Sequence, residues 1–204
     1  MTITINGSSG ITFPAGGTGN PAGTVVGTTD TQTLTNKTVG SGYAGSTITS
    51  GTAVASTSGT SIDFTSIPSW VKRITVMFQG VSTNGSSAVQ VQIGTSGGVQ
   101  TTGYNAASAI GAGANTFSMS AITTGFGEAT GGASLTRYGS AVLSLLDSAT
   151  GTWSMMYNIG TTDTQRVLLI YGTKALSGTL DRVRITTVNG TDTFDAGSIN
   201  ILYE

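Results

Sequence analysis

A short strand, a proline corner and a long strand follow one another in Ser61-Ile62-Asp63-Phe64-Thr65-Ser66-Ile67-Pro68-Ser69-Trp70-Val71-Lys72-Arg73-Ile74-Thr75-Val76-Met77-Phe78-Gln79-Gly80. In the long strand an alternating pattern places Ile74, Val76 and Phe78 on one face of an extended chain. This period of two is typical of a half-buried strand. We therefore expect a folded β domain to start in this part of the chain, with these three residues in its core.

The corner lies at Pro68, which fixes its own φ and biases Ile67 towards extended backbone. A turn of this kind redirects the chain and does not start a helix. Trp70 follows it, and its large apolar body predicts a side chain that covers the core. Stacking on a ligand is the alternative for Trp70.

Composition restricts the possible partners of the chain. Only 8% of its 204 residues are charged and the net charge is −1, so phosphate neutralisation cannot drive binding to nucleic acid. No basic run attracts an anionic membrane. The hydrophobic fraction of 37% argues against disorder, and the abundance of Thr, Val and Gly favours strands joined by turns.

The residue types that most enzymes need are scarce. The chain has no Cys and no His, which excludes disulfides, thiolate metal sites and the usual base of an acyl-transfer triad. Glycoside cleavage needs paired carboxylates, and no pairing can be read from the candidates Glu128, Asp147, Asp163, Asp181, Asp192 and Asp195. No phosphate-binding or dinucleotide motif is present. We predict no catalytic residue and no cofactor, hence no enzyme.

One acidic stretch superficially suggests a calcium loop. Asn189–Gly197 contains clustered oxygen donors but lacks the spacing and the final Glu of an EF-hand. Asn and Asp in a hairpin commonly bond their own backbone. We therefore predict a turn here, and no metal site in the chain.

The N-terminal part is too poor in apolar residues to fold alone. Up to about residue 60 its charges are Asp30 and Lys37, and its aromatic residues are Phe13 and Tyr43. Short alternating pieces, Thr2-Ile3-Thr4-Ile5 and Thr33-Leu34-Thr35, are able to add a strand to another chain. Residues 1–52 are thus predicted to form an extended Gly/Thr-rich assembly arm.

Residues 53–204 are predicted to form an antiparallel β-sandwich or jelly roll, because short strands and turn signals recur at near-regular spacing. The predicted strands are Ala53–Ser56, Ser61–Phe64, Arg73–Gly80, Val89–Ile93, Phe117–Ile122, Ala141–Leu146, Trp153–Ile159, Val167–Tyr171, Arg182–Thr187 and Ile199–Tyr203. Asn84-Gly85 and Asn189-Gly190 predict turns with positive φ at both positions. The stretch from Thr95 to Asn115 is predicted to be a surface excursion.

The N-terminus also bears on localisation. Met1-Thr2-Ile3-Thr4-Ile5 lacks a basic region followed by an apolar one, and no long apolar run occurs in the chain. We expect a protein that is made in a cytoplasm, stays soluble and is not inserted in a membrane.

Three segments carry a resemblance to a known group of proteins. Asp30-Thr31-Gln32-Thr33-Leu34-Thr35-Asn36-Lys37-Thr38 resembles an element that recurs in tail-fibre and other virion proteins of tailed bacteriophages. A β-rich module of such proteins is similar to two further parts of the chain. The first comprises Gly59–Phe64 and Ile67–Ile74, and the second is Leu180–Ser198. The resemblance implies a virion structural protein, commonly a homotrimer, with its arm near the particle and its β module outward.

Two locations on the virion stay open. The chain is expected to be a tail fibre or short appendage that contributes to host adhesion, or else a capsid decoration or head-fibre protein that stabilises the shell. If host polysaccharide is bound, exposed aromatics in loops are the expected platforms, and the candidates are Tyr104, Tyr138 and the neighbouring Arg137. Asp181, Arg182 and Arg184 are either a solvated strand face or a bridge between subunits.

Overall fold

A computed structural model describes residues 4–6, 10–12, 48–112, 116–162 and 166–204. The chain divides into two units, Met1–Gly45 and Ser46–Glu204. In the first unit, strand β1 (Thr4–Asn6) pairs antiparallel with β2 (Gly10–Thr12). The first predicted arm strand therefore pairs within its own chain, whereas Thr33-Leu34-Thr35 lies outside the described residues.

The second unit is built of strands throughout its described part. They are β3 (Thr49–Ser50), β4 (Val54–Ala55), β5 (Ser61–Phe64), β6 (Arg73–Thr83), β7 (Val89–Thr95), β8 (Gly98–Val99), β9 (Asn105–Ala112), β10 (Thr116–Ile122), β11 (Phe126–Gly127), β12 (Arg137–Asp147), β13 (Thr152–Thr161), β14 (Arg166–Ala175), β15 (Arg182–Thr187) and β16 (Phe194–Tyr203). Every strand predicted from the sequence overlaps one of these. No helix occurs among the described residues, and the all-β prediction is confirmed.

Two antiparallel sheets share the hydrophobic core of this unit. The large sheet has the order β10-β9-β14-β13-β12-β6-β16-β3, with β4 also paired to β16. The small sheet has the order β11-β7-β15-β5, with β8 paired to β7. Ile74, Val76 and Phe78 are buried, as predicted, and they belong to one core with Val91 and Ile185 of the small sheet.

The predicted boundary at residue 52 lies too late. β3 pairs with the C-terminal end of β16, and the Gly51 N–H donates to the Ile201 carbonyl at 2.7 Å. These bonds place the segment from Ser46 onwards with the second unit. The polar sequence of this segment does not predict that it belongs to the second unit, because backbone hydrogen bonds can hold an edge strand that has few buried side chains.

Trp70 does not cover the core, so that prediction is wrong. Its side chain is 51% exposed and its ring packs against Tyr203 at a centroid distance of 5.9 Å. The Val71 N–H donates to the Pro68 carbonyl at 3.1 Å, and this tight turn directs Ile67 and Val71 inward instead. The corner is as predicted, but its smaller apolar residues seal the core.

The excursion predicted between Thr95 and Asn115 is also wrong in part, because β8 and β9 lie within it. β9 pairs with both β10 and β14 inside the large sheet. Its sequence NAASAIGA consists mostly of small residues on both faces. The alternation of apolar and polar residues that predicts a strand is therefore weak.

Both Asn-Gly pairs lie in turns, although not in the predicted conformation. Only Gly190 among the four residues has a positive φ, of 68°. The Asn84 and Asn189 side-chain oxygens instead accept bonds from the N–H groups of Thr193 and Thr191, at 2.9 and 3.0 Å. Gly85 is needed for close approach, since a Cβ there would lie 2.1 Å from the Asp192 carboxylate.

Candidate functional site

The large sheet has a second face, turned away from the small sheet, which we call the outer face. On β13 the inward residues Trp153, Met155, Tyr157 and Ile159 are buried, so the intervening side chains point outward. We define the outer face by the outward residues of the four consecutive strands β9, β14, β13 and β12. They are Asn105, Ala107, Ala109, Gly111, Val167, Leu169, Tyr171, Thr173, Ala175, Thr152, Ser154, Met156, Asn158, Gly160, Tyr138, Ser140, Val142 and Ser144.

Large apolar side chains lie exposed across this face. Met156, Tyr138, Tyr171 and Val167 are each about half exposed. The strand register places Met156 directly opposite Tyr171 on one side and Val142 on the other. The exposed residues therefore form a continuous apolar row across neighbouring strands.

The central part of the outer face carries no charged side chain on its four strands. Charges occur at one end of the sheet, where Asp147 ends β12 opposite Thr152 and Arg73 on the neighbouring strand β6 forms an ion pair with Glu204. A protein surface that covers the central part would not have to strip water from an ion, which is the costliest part of burying a polar surface.

A few polar groups on the outer face have no partner within the described part of the chain. The phenol groups of Tyr138 and Tyr171 and the amide of Asn158 form no hydrogen bond there. Such groups can give orientation to an otherwise apolar contact.

Tyr138 is exposed, which a contact with a receptor requires. Its ring lies over Gly80, where an added methyl group would come within 3.5 Å of the phenol oxygen. The side chain belongs to the outer face of a strand and not to a loop. A contact with a receptor stays a prediction for this residue.

Arg137 cannot contact a receptor, because its side chain is completely buried. Strand alternation turns Arg137 inward when Tyr138 points outward. Its guanidinium donates to both carboxylate oxygens of Glu128, at 2.7 and 2.8 Å, and to the Leu135 carbonyl at 3.0 Å. The Tyr157 phenol donates to Glu128 at 2.9 Å, and burial together with that carboxylate raises the pKa of Tyr157.

Tyr104 is likewise inside the protein, with 3% of its surface exposed, so the prediction that it contacts a receptor is wrong. Its phenol oxygen accepts from the Ile93 N–H and donates to the Gln100 carbonyl, both at 2.8 Å. Its ring meets Phe126 edge-on at 5.0 Å. Burial raises the pKa of Tyr104. In a stretch of Thr and Gly, the single aromatic side chain fixes the loop to β7.

The charged cluster near the end of the chain has partners in the same chain. Arg184 donates to both oxygens of Asp63 at 2.7 and 2.9 Å, and these bonds raise the pKa of Arg184. Arg182 donates to Asp181 at 2.8 Å and to the Ser96 carbonyl at 3.2 Å. A bridge between subunits stays a prediction for Asp181, Arg182 and Arg184.

The carboxylates considered for glycoside cleavage are dispersed. Glu128 is buried, and Asp147 accepts from the Ala149 N–H and the Thr150 hydroxyl, which lowers the pKa of Asp147. Asp192 accepts from Asn189 and Ser87. The Asn189 side-chain oxygen accepts from the N–H groups of Thr191 and Asp192, as the turn interpretation of the acidic stretch predicts. Asp163 lies outside the described residues. Within the described ranges no three acidic side chains are grouped as a metal site would need.

A recess of about 310 Å³ lies between the proline corner, the β12–β13 turn and the loop after β14. Trp153 and Leu176 provide apolar lining, and Lys72 lies at its edge. The hydroxyls of Ser69, Ser148 and Thr179 also line it and have no side-chain partner within the described ranges. Its size is at the lower limit of small-molecule sites.

Sequence reasoning missed the outer face, although one strand displays the signal. Val167-Leu168-Leu169-Ile170-Tyr171 is apolar without interruption, whereas a sheet with one solvated face alternates. Leu168 and Ile170 face the core, and the other three face outward.

No helix within the described ranges is long and apolar enough to cross a membrane. No protein-family model, no curated protein and no solved structure matches this chain.

Proposed function

We propose that this chain is a structural protein of a bacteriophage virion, a tail fibre or short appendage that is anchored by its N-terminal arm and contributes to host-surface adhesion. The observation that carries the proposal is the row of exposed apolar side chains across the outer face of the large sheet, whose central part carries no charge. A β domain that presents such a face is built to be covered by other protein, because large exposed apolar patches mark interaction surfaces.

The sequence of the arm adds support for the particular kind of assembly. Residues 30–38 resemble an element of phage tail fibres and related virion proteins, and they precede the β domain, as an anchor in the particle would. The second unit supplies the rigid part, since its two sheets share one core. On this proposal the protein acts by position and contact, without chemistry of its own.

Adhesion has a candidate surface on the β domain in the recess at Trp153. Hydroxyls of Ser69, Ser148 and Thr179 and the apolar side chains of Trp153 and Leu176 line it. The recess combines an apolar contact with polar groups, which is the combination that binding sites for small polar molecules use. Tyr138 lies on the outer face, so its ring is accessible to a receptor only where other protein leaves that face uncovered.

The test locates the chain on particles. Phage particles purified from a host that produces the protein are analysed by mass spectrometry and by electron cryomicroscopy with an antibody against the β domain. Label at the tail supports the tail-fibre proposal. Label over the shell supports capsid decoration in its place, and purified particles that lack the chain contradict a virion role.

A further inference from the structure

We infer that the outer face of the large sheet is covered by another copy of this same chain, packed face to face. The inference deepens the proposed function, on which it rests for the premise that the chain is assembled. It names the surface and the partner, neither of which that proposal specifies.

The charge distribution favours a copy of the chain over a different partner. A face brought against an identical one meets its own charges, so like charges on it would repel. The four strands of the outer face carry none in their central part, and Asp147 lies at the end of β12. In contrast, the small sheet presents Arg182 and Arg184 with their acidic partners at its surface.

The residue types also fit the centre of an interface. Interface centres are enriched in Tyr and Met and depleted of Lys, Glu and Asp. Met156, Tyr171 and Tyr138 lie on the outer face, and Met119 is exposed on the adjoining strand β10. Unpartnered phenol groups and the Asn158 amide can pair with the same groups of the facing copy.

The exposed area is of the right order. A large side chain presents about 150 to 200 Å² when free, so Met119, Tyr138, Met156, Val167 and Tyr171 together present roughly 400 to 500 Å². Partly exposed neighbours such as Val142 and Leu169 extend the patch. A stable interface uses about 800 Å² from each partner, and the five large side chains alone provide about half of that area.

Packing through the faces leaves each sheet intact, because no backbone bond has to break. Two sheets in face-to-face contact lie about 10 Å apart, with their side chains interdigitated. The contact is isologous, so the same residues of both copies meet across it.

The absence of Cys from the sequence makes a direct test possible in the full-length protein. Met156→Cys and Val188→Cys each introduce a single thiol, and the native side chains are matched in exposure, at 44% and 47% in the single chain. Val188 lies in the turn after β15, away from the outer face. A maleimide should modify the thiol at 188 at least tenfold faster than the thiol at 156. Equal rates would overturn the inference.

A charge on the outer face gives a second test. Light scattering should give a multiple of 20.4 kDa for the wild-type protein and for Val188→Lys, and 20.4 kDa for Met156→Lys. Met156→Leu should keep the multiple. Circular dichroism checks that the variants are folded. If Met156→Lys does not fold, the maleimide labelling alone tests the inference. A wild-type monomer at micromolar concentration overturns the inference.

These measurements use purified protein and need no particle. Self-association through the outer face, with the chain absent from purified virions, would leave this inference standing and remove the proposed function. A chain that is found on purified virions but is a monomer in solution would remove this inference and leave the proposed function standing.

Discussion

Arg137 and Glu128 form a two-pronged ion pair whose side chains are both completely buried. Arg137 begins β12 of the large sheet, and Glu128 follows β11 of the small sheet. Tyr157 on β13 also donates to this carboxylate. The pair therefore ties the two sheets together through a network in which both carboxylate oxygens accept bonds.

Removing one member of this pair should be strongly destabilising. Glu128→Ala leaves the Arg137 charge buried without its counter-ion, which costs about 3 to 5 kcal/mol. Urea unfolding followed by fluorescence measures the change. The control is Glu204→Ala, which breaks the exposed Arg73–Glu204 pair and should cost about 1 kcal/mol or less. Similar losses for the two variants would contradict the structural importance of the buried pair.

The two tyrosines nominated for receptor contact should respond differently to loss of their hydroxyl. Tyr104→Phe leaves the buried Ile93 N–H without its phenol acceptor and should cost about 1 to 3 kcal/mol. Tyr138→Phe removes an exposed phenol that has no partner within the described residues, so stability should change by about 0.5 kcal/mol or less. Thermal unfolding of both variants checks this, and an unaffected Tyr104→Phe would show that the bond between the Ile93 N–H and the phenol does not contribute to stability.

The sequence was sufficient for the strands whose residues alternate clearly, such as β6 with its buried Ile74, Val76 and Phe78, but not for β9, which consists mostly of small residues. It was insufficient for Arg137 and Tyr104, since a charged or polar residue is predicted to be exposed unless its partner is known. Glu128 lies only nine residues before Arg137. The two residues lie at strands of different sheets, however, and no periodicity between them predicts that they pair. The sequence did not predict the outer face, because each of its apolar residues could equally be buried in a core.

Trp70 and Phe78 allow a direct comparison of an exposed and a buried aromatic residue. Phe78→Ala empties a site against Tyr157, whose ring it meets at 5.5 Å, and should cost about 3 to 5 kcal/mol. Trp70→Ala loses a half-exposed contact with Tyr203, so about 1 kcal/mol is expected. Equilibrium unfolding in urea compares them, and a larger loss for Trp70→Ala would restore it to the core.

Acid should weaken the contact between the two Asn-Gly turns. Bonds from Asn189 and from the Ser87 N–H hold the pKa of Asp192 below its ordinary value of 3.8. Since the folded state then binds fewer protons than the unfolded one, the stabilising contribution is complete above about pH 4 and is lost as the pH falls through the lower folded pKa. Asp192→Asn should remove this part of the pH dependence, which urea unfolding between pH 2 and 6 measures. An unchanged pH profile would show that Asp192 does not contribute.

Two deletions separate the arm from the β domain. Removing residues 1–45 takes away the first unit only, so the unfolding midpoint of the remaining domain should stay unchanged while incorporation into virions is lost, as the proposed anchor requires. Removing residues 1–52 also deletes β3 and the bond from the Gly51 N–H to the Ile201 carbonyl, which exposes the edge of β16. This second deletion should lower the midpoint, because paired edge backbone becomes solvated. If the shorter deletion lowers stability as much as the longer one, residues 1–45 are part of the folded domain. Normal recovery of either variant on particles would show that the anchor lies elsewhere.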